Sequence, residues 1–185
     1  MADYQLLIDG EPCDAASGET FATHDPATGE KIADVAKAGR DDAVRAIEAA
    51  RKAFDEGPWP KMSGKERAAK VNRIAELIGE HAEELAELEV RDSGGTIRKA
   101  SLADIPGGKG AFEWFAKMAE TQPDEVALEG SPFPASENYV RYEPHGVTTG
   151  IIPWNFPFIM AAWKLGPALA AGNCAVLKPA SFTSV

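Results

Sequence analysis

The chain has 185 residues, 44% of them hydrophobic and 26% charged, with a formal net charge of −10. That length suits one domain, or a domain and a piece of another, and the apolar share excludes wholesale disorder. The acid excess, with a pI near 4.8, argues against nucleic acid or a membrane surface as partner, and two cysteines (Cys13 and Cys174) cannot build a disulfide scaffold.

Leu6-Leu7-Ile8 runs into Asp9-Gly10, a pair that suits a two-residue hairpin turn because Gly tolerates positive φ. Asp25-Pro26-Ala27-Thr28-Gly29-Glu30 is a second turn, leading to the strand-like Lys31-Ile32-Ala33-Asp34-Val35. From 41 to 55 the period becomes helical, with Val44, Ile47 and Phe54 near one face. Gly57-Pro58-Trp59-Pro60 ends that helix, and Ser63-Gly64-Lys65-Glu66 predicts a capping box for the next, whose core positions are Val71, Ile74, Ala75 and Ile78. A further helical run carries Leu85, Leu88 and Glu89 and closes at Ser93-Gly94-Gly95. Its acids Glu80, Glu83, Glu84, Glu87 and Glu89 read as a solvated helix face. Residues 98–120 read as a helix pair split near Ile105-Pro106-Gly107-Gly108.

After Gln122 the texture changes to a polar connection punctuated by Pro123, Pro132 and Pro134, followed by a strand at Tyr139-Val140-Arg141-Tyr142. Residues 147–152 form a largely β-branched run, 158–171 an apolar, alanine-rich helix stopped by Gly172-Asn173, and Cys174-Ala175-Val176-Leu177 the next strand. Strand, helix and strand at this spacing predict a βαβ unit with parallel strands, hence an α/β fold. Met1-Ala2-Asp3-Tyr4 shows no signal-peptide pattern, and the most apolar stretch, 151–177, is broken by prolines, asparagines and Lys164, so a cytoplasmic protein is expected.

Two places can carry chemistry. Asn155 lies between Pro153 and Pro157 at the strand-to-helix turn, where open α/β sheets bind ligands. Its side-chain N–H could serve an oxygen that becomes negative during a reaction, or the residue could simply cap the helix. Lys178 ends the neighbouring parallel strand, where it could reach a ribose hydroxyl or phosphate, or be an ordinary surface lysine. Adjacent strand ends make one crevice, which favours reading the two together. Gly107-Gly108-Lys109-Gly110 lacks the spacing of a phosphate loop, and His24, His81 and His145 show no metal-ligand spacing, so no metal is expected.

Three segments in order carry a resemblance. They are Gly150-Ile151-Ile152-Pro153-Trp154-Asn155-Phe156-Pro157, then Ala162-Trp163-Lys164-Leu165-Gly166-Pro167-Ala168-Leu169-Ala170-Ala171-Gly172-Asn173, then Leu177-Lys178-Pro179-Ala180. Together they closely resemble the NAD(P)-dependent aldehyde dehydrogenase superfamily, with support from the 25–30 turn, from Phe54-Asp55-Glu56-Gly57-Pro58-Trp59 and from Asp104-Ile105-Pro106. The resemblance implies a partial Rossmann-like cofactor-binding domain with N-terminal hairpins and helices. By it, 1–120 and 146–185 are parts of the NAD(P)-binding domain, and 121–145 part of an oligomerisation arm.

It further implies that Asn155 is the oxyanion donor to a cysteine thiohemiacetal, and that Lys178 bonds the adenosine ribose. Ile151, Ile152, Pro153 and Trp154 would line the nucleotide cleft, while Phe156, Met160 and Trp163 would flank an aldehyde tunnel. For those three, core packing of an apolar helix is the competing reading. Relatives that prefer NAD often carry Glu three residues after the lysine; Ser181 stands there, which opens the site to NADP. The sequence stops at Val185, before the family's nucleophilic Cys and general-base Glu, and Cys174 reads as a structural thiol. The expectation is therefore the N-terminal fragment of an aldehyde dehydrogenase, inactive alone and a homo-oligomer when complete. The alternative is a short non-catalytic nucleotide-binding or subunit-interaction module.

Overall fold

The computed structural model describes residues 2–128 and 138–185. Two antiparallel strand pairs open the chain. In the first, β1 (Leu6–Ile8) and β2 (Glu11–Cys13) are joined by Asp9 and Gly10, both at positive φ (56° and 79°), the geometry that matches the twist of a hairpin. In the second, β3 (Thr20–His24) and β4 (Lys31–Ala36) flank the 25–30 turn, where the Asp25 carboxylate accepts the N–H of Ala27 at 2.8 Å.

Helix α1 (Arg40–Glu56) starts one residue before the predicted run and packs on the later parallel strands. Its inner face is Asp42, Ala46, Ala49, Ala50 and Phe54, whereas Val44 and Ile47 are exposed. Small alanines let the helix sit close to the sheet, and this decides the face over the larger aliphatics. Buried Asp42 accepts the N–H groups of Gly39 (2.9 Å) and Ala16 (3.0 Å), which holds its carboxyl below the usual range and ties the N-terminal segment to the helix.

A single 3₁₀ turn (Trp59–Lys61) leads to α2 (Gly64–Glu80). The expected capping box is present: Ser63 Oγ accepts the Glu66 N–H at 3.3 Å, and the Glu66 carboxylate accepts the Ser63 N–H at 2.8 Å. Helix α3 (Ala82–Ser93) ends at Gly94 with φ 72°. Then α4 (Ile97–Lys99), a π-helical segment (Ala100–Asp104) and α5 (Ile105–Thr121) follow without a break. The predicted split near Pro106 is thus absent. The Ile105 N–H reaches back five residues to the Ala100 carbonyl, and the wider turn makes room for a proline that would clash in an ordinary helix.

Tyr139–Arg141 is a strand (β6), paired antiparallel with Glu125–Ala127 (β5), which the sequence reading took as connection. Pro132 and Pro134 lie outside the described residues. The βαβ unit is as expected: β7 (Val147–Ile151), α6 (Pro157–Ala170) and β8 (Cys174–Lys178), with β7 and β8 parallel from Val147 opposite Cys174 to Ile151 opposite Lys178.

The main core lies between α2, α5 and α6, and it is dominated by small side chains: Ala68, Ala75, Ala116, Ala119, Ala162 and Ala170 around Val71, Ile78, Ile105 and Phe112. Close approach has a cost in sequence freedom. A Cβ at Gly108 would lie 2.5 Å from the Phe158 ring, and one at Gly166 would lie 2.9 Å from Phe115, so both glycines act as holes for aromatic rings across the α5–α6 interface. Gly107-Gly108, considered above as a phosphate loop, is a helix-packing surface.

Candidate functional site

The candidate site is where β7 and β8 end side by side. Beyond Ile151 the chain leaves the sheet, but the Ile152 N–H still donates to the Lys178 carbonyl at 3.0 Å, locking the two strand ends together. Ile152 is buried, so it can offer an external ligand only backbone. Its neighbours point outward: Ile151 is 69% exposed, Trp154 60% and Phe156 41%. Pro153 and Asn155 are exposed as well. On α6, Met160 is half-buried, and Trp163, one turn on, is exposed.

The capping alternative for Asn155 fails. The N-cap of α6 is Phe156, with φ −144° and ψ 62°, and no side chain caps the helix. The Asn155 amide enters no hydrogen bond among the described residues, and it stands at the carboxyl end of a parallel strand between two prolines. A free donor on a stiffened turn is suited to an oxygen that gains charge during a reaction.

Lys178 is exposed, and among the described residues its ammonium donates only to the adjacent Pro179 carbonyl at 3.0 Å, so it can swing outward at little cost. Ser181 is exposed in the following turn, which the Thr183 N–H closes onto the Ala180 carbonyl at 3.1 Å. The structure therefore brings Ile151, Pro153, Trp154, Asn155 and Lys178 to one sheet edge, with Phe156, Met160 and Trp163 along the helix that leaves it.

Beneath this edge lies a cavity of about 180 Å³, bordered by α3, α6, β8 and the last residues of the chain. Glu89 borders it and is only 7% exposed, which corrects the reading of that residue as part of a solvated face. The other four acids of the run are exposed, but Glu89 falls four residues after Leu85 on the inner face of α3. Burial and the neighbouring Asp104 carboxylate raise its pKa to about 7, with Lys99 opposing the shift. Asp104 is also buried and pairs with Lys99, whose ammonium lies 3.9 Å from Glu89 and 4.3 Å from the centre of the Phe156 ring. Sequence reasoning missed this group entirely, although the 85, 89, 92 spacing was a usable signal for Glu89. A second buried carboxylate, Asp92, accepts from Thr23 Oγ1 and from the Val185 N–H, each at 2.9 Å, and burial raises its pKa. Among the described residues no group of three or more His, Cys, Asp or Glu side chains could hold a metal ion.

Cys174 is not an activated nucleophile. Cys174 opens β8, and burial pushes its thiol up, against a lesser opposing pull from Arg51. Cys13 lies at the end of β2, where an Arg45 guanidinium N–H approaches its sulfur at 3.7 Å.

Comparison with known proteins decides the ancestry of this arrangement: the aldehyde dehydrogenase family profile matches residues 13–185. The chain belongs to the aldehyde dehydrogenase family. Among curated aldehyde dehydrogenases, it is 50% identical to family 2 member B4, mitochondrial, from Arabidopsis thaliana, over 97% of this chain and 33% of that protein. It is 45% identical to the betaine aldehyde dehydrogenase of Bacillus subtilis, over 96% of this chain and 36% of that protein. A solved betaine aldehyde dehydrogenase from Staphylococcus aureus, in complex with NAD+, superimposes with a TM-score of 0.93 at 38% identity, covering 98% of this chain and 36% of its own. The chain thus spans about a third of the length of the aldehyde dehydrogenases it matches. Its α/β architecture with a parallel strand pair is theirs. No helix among the described residues is long and apolar enough to cross a membrane.

Proposed function

We propose that the protein containing this chain oxidises an aldehyde to a carboxylic acid with NAD+ or NADP+, and that residues 1–185 supply part of its cofactor site and one catalytic donor. The observation that carries this reading is the unpartnered Asn155 amide at the end of β7, next to the exposed Lys178 at the end of β8. Asn155 donates its side-chain N–H to the oxygen that becomes negative when a thiol adds to the aldehyde carbonyl. One such donor is typically worth about 3 kcal/mol in the transition state.

The residues at the edge suit a dinucleotide. Ile151, Pro153 and Trp154 give an apolar wall, Ile152 contributes backbone, and Lys178 gives a movable charge within reach of a ribose or phosphate. When bound, the nicotinamide supplies a hydride acceptor. Ser181 in place of an acid leaves room for a 2′-phosphate, so both cofactors are accepted. Phe156, Met160 and Trp163 line the approach of the aldehyde. Burial of Cys174 disfavours it as nucleophile; because the chain spans about a third of its relatives' length, we place the reacting cysteine and its general base outside residues 1–185, which alone do not catalyse.

The division into 1–120, 121–145 and 146–185 remains our domain proposal. The β5–β6 pair exposes Val126, Leu128, Tyr139, Val140 and Tyr142, which supports a homo-oligomer built through this arm. The free cysteines accord with a cytoplasmic location.

The test is aldehyde-dependent reduction of NAD+ and NADP+ by the intact protein, read from the absorbance of the reduced nicotinamide. Lys178→Ala is expected to raise the cofactor KM about tenfold, the loss of one charged contact. An intact protein that reduces neither cofactor, or a Lys178→Ala variant with unchanged cofactor KM, contradicts the reading.

A further inference from the structure

Among the described residues the Asn155 amide makes no hydrogen bond of its own, so its direction depends on what holds the turn around it. On the upstream side the turn is pinned by buried Ile152 and its N–H bond to Lys178. On the downstream side Phe156 is the N-cap of α6 through its backbone, its carbonyl accepting the Met160 N–H at 3.1 Å, while its side chain caps nothing and its ring is 41% exposed. The Lys99 ammonium sits over that ring, 4.3 Å from its centre. This is well within the range where a cation is attracted to an aromatic face.

Lys99 is itself unusually well anchored for a lysine. The π-helical segment between Lys99 and Asp104 places residues five apart on one side of the wide turn, and the two side chains form an ion pair there. Glu89, from α3, lies on the other side at 3.9 Å, and both carboxylates are more than nine-tenths buried. Three elements thus converge on one ammonium, and that ammonium faces the residue immediately after Asn155. A surface lysine would sample many rotamers; one bonded to a buried carboxylate presents its charge to the ring in a more nearly fixed direction.

We propose that Lys99 is a positioning residue for Asn155: fixed by its ion pair with Asp104, its ammonium clamps the Phe156 ring and so sets the direction of the Asn155 amide. This rests on the reading of Asn155 as the oxyanion donor. The role is distinct from cofactor binding, because Lys99 acts on the downstream side of the turn, away from Lys178. It is also distinct from a simple structural ion pair, because it requires the aromatic ring.

The experiment is a double-mutant cycle in the intact protein, comparing Lys99→Met, Phe156→Leu and the two combined, with Lys99→Arg as the conservative variant. Lys99→Met and Phe156→Leu are each expected to lower kcat about three- to tenfold, with the cofactor KM unchanged. The combined variant is expected to be no worse than either single one, and Lys99→Arg to keep kcat within about twofold, since a guanidinium also stacks on a ring. Effects on kcat that multiply, an unchanged kcat in Lys99→Met, or a Lys99→Arg variant as poor as Lys99→Met would overturn the proposal. If Lys99→Met does not fold because it strands two buried acids, the cycle is run with Lys99→Met/Asp104→Asn, which removes the pair together. Asn155→Ala separates the two levels. If it leaves kcat intact, the proposed function and this inference both fall; if it abolishes turnover while the Lys99 and Phe156 effects multiply, only this inference falls.

Discussion

The two ends of α6 each carry an asparagine, and the structure uses them in opposite ways. At the C-terminal end Asn173 is 4% exposed; its side-chain oxygen accepts the Gly146 N–H at 2.9 Å, and its amide donates to the Ala168 carbonyl at 3.2 Å. Arg67 adds a bond to the Ala170 carbonyl at 3.1 Å, so that end of the helix is tied to both α2 and the start of β7. At the N-terminal end Asn155 is exposed, caps nothing, and stands between two prolines on a turn whose upstream side is tied by the Ile152 N–H to the Lys178 carbonyl. The C-terminal asparagine is bonded to its surroundings and the N-terminal one is left free. A polar side chain left free beside a rigid framework is what a reaction site requires, and what a structural site avoids.

The contrast can be broken most forcefully at Asn173. Asn173→Ala removes two hydrogen bonds and leaves the buried Gly146 N–H without a partner, a loss of about 2–4 kcal/mol in chemical denaturation. A loss below 1 kcal/mol, on the order of one ordinary hydrogen bond, would mean that water replaces Asn173 there. A smaller effect is expected from the packing that seats the other end. Gly108→Ala drives a methyl group against the Phe158 ring, at the first turn of α6, and is expected to cost about 1–3 kcal/mol. If the ring simply swings aside, denaturation will show no change.

The third effect concerns pH. Glu89 has a folded pKa near 7, above its ordinary value, so the folded state holds a proton that the unfolded state has released. Stability contributed by this group is therefore highest below the unfolded pKa, falls as pH rises toward about 7, and is level above that. In Glu89→Gln that fall disappears, and the Tm difference between about pH 5 and pH 8 should shrink. An unchanged difference would place Glu89 in solvent and remove the buried acid from beneath the site.

Much of this was legible from residues alone. Asp9-Gly10, the Ser63–Glu66 box, the Gly172-Asn173 stop and the βαβ spacing are local signals, each decided within a few residues, and the structure realises all of them. Glu89 and the α1 face were not legible in the same way, because both depend on what packs against a helix from elsewhere in the chain. A run of five acids looks like a solvated face until α3 is set against α6 and the π-helical segment, when one of the five turns inward. Pro106 misled for a related reason: a proline signals a break unless the preceding turn widens to admit it, and that widening is not visible in the sequence. Asn155 and Lys178 were candidates by their position at strand ends, and the structure places both there, whereas Lys99, which touches the Phe156 ring, gave no sequence signal.

The most direct measurement is to compare Asn155→Ala with Asn173→Ala in the intact protein, reading kcat and unfolding free energy for both. The account predicts a crossing. Asn155→Ala should lose about 10²–10³ in kcat with stability within about 0.5 kcal/mol, while Asn173→Ala should lose stability and retain kcat in whatever fraction remains folded. An Asn155→Ala variant that unfolds readily, or that turns over at the unsubstituted rate, would contradict it.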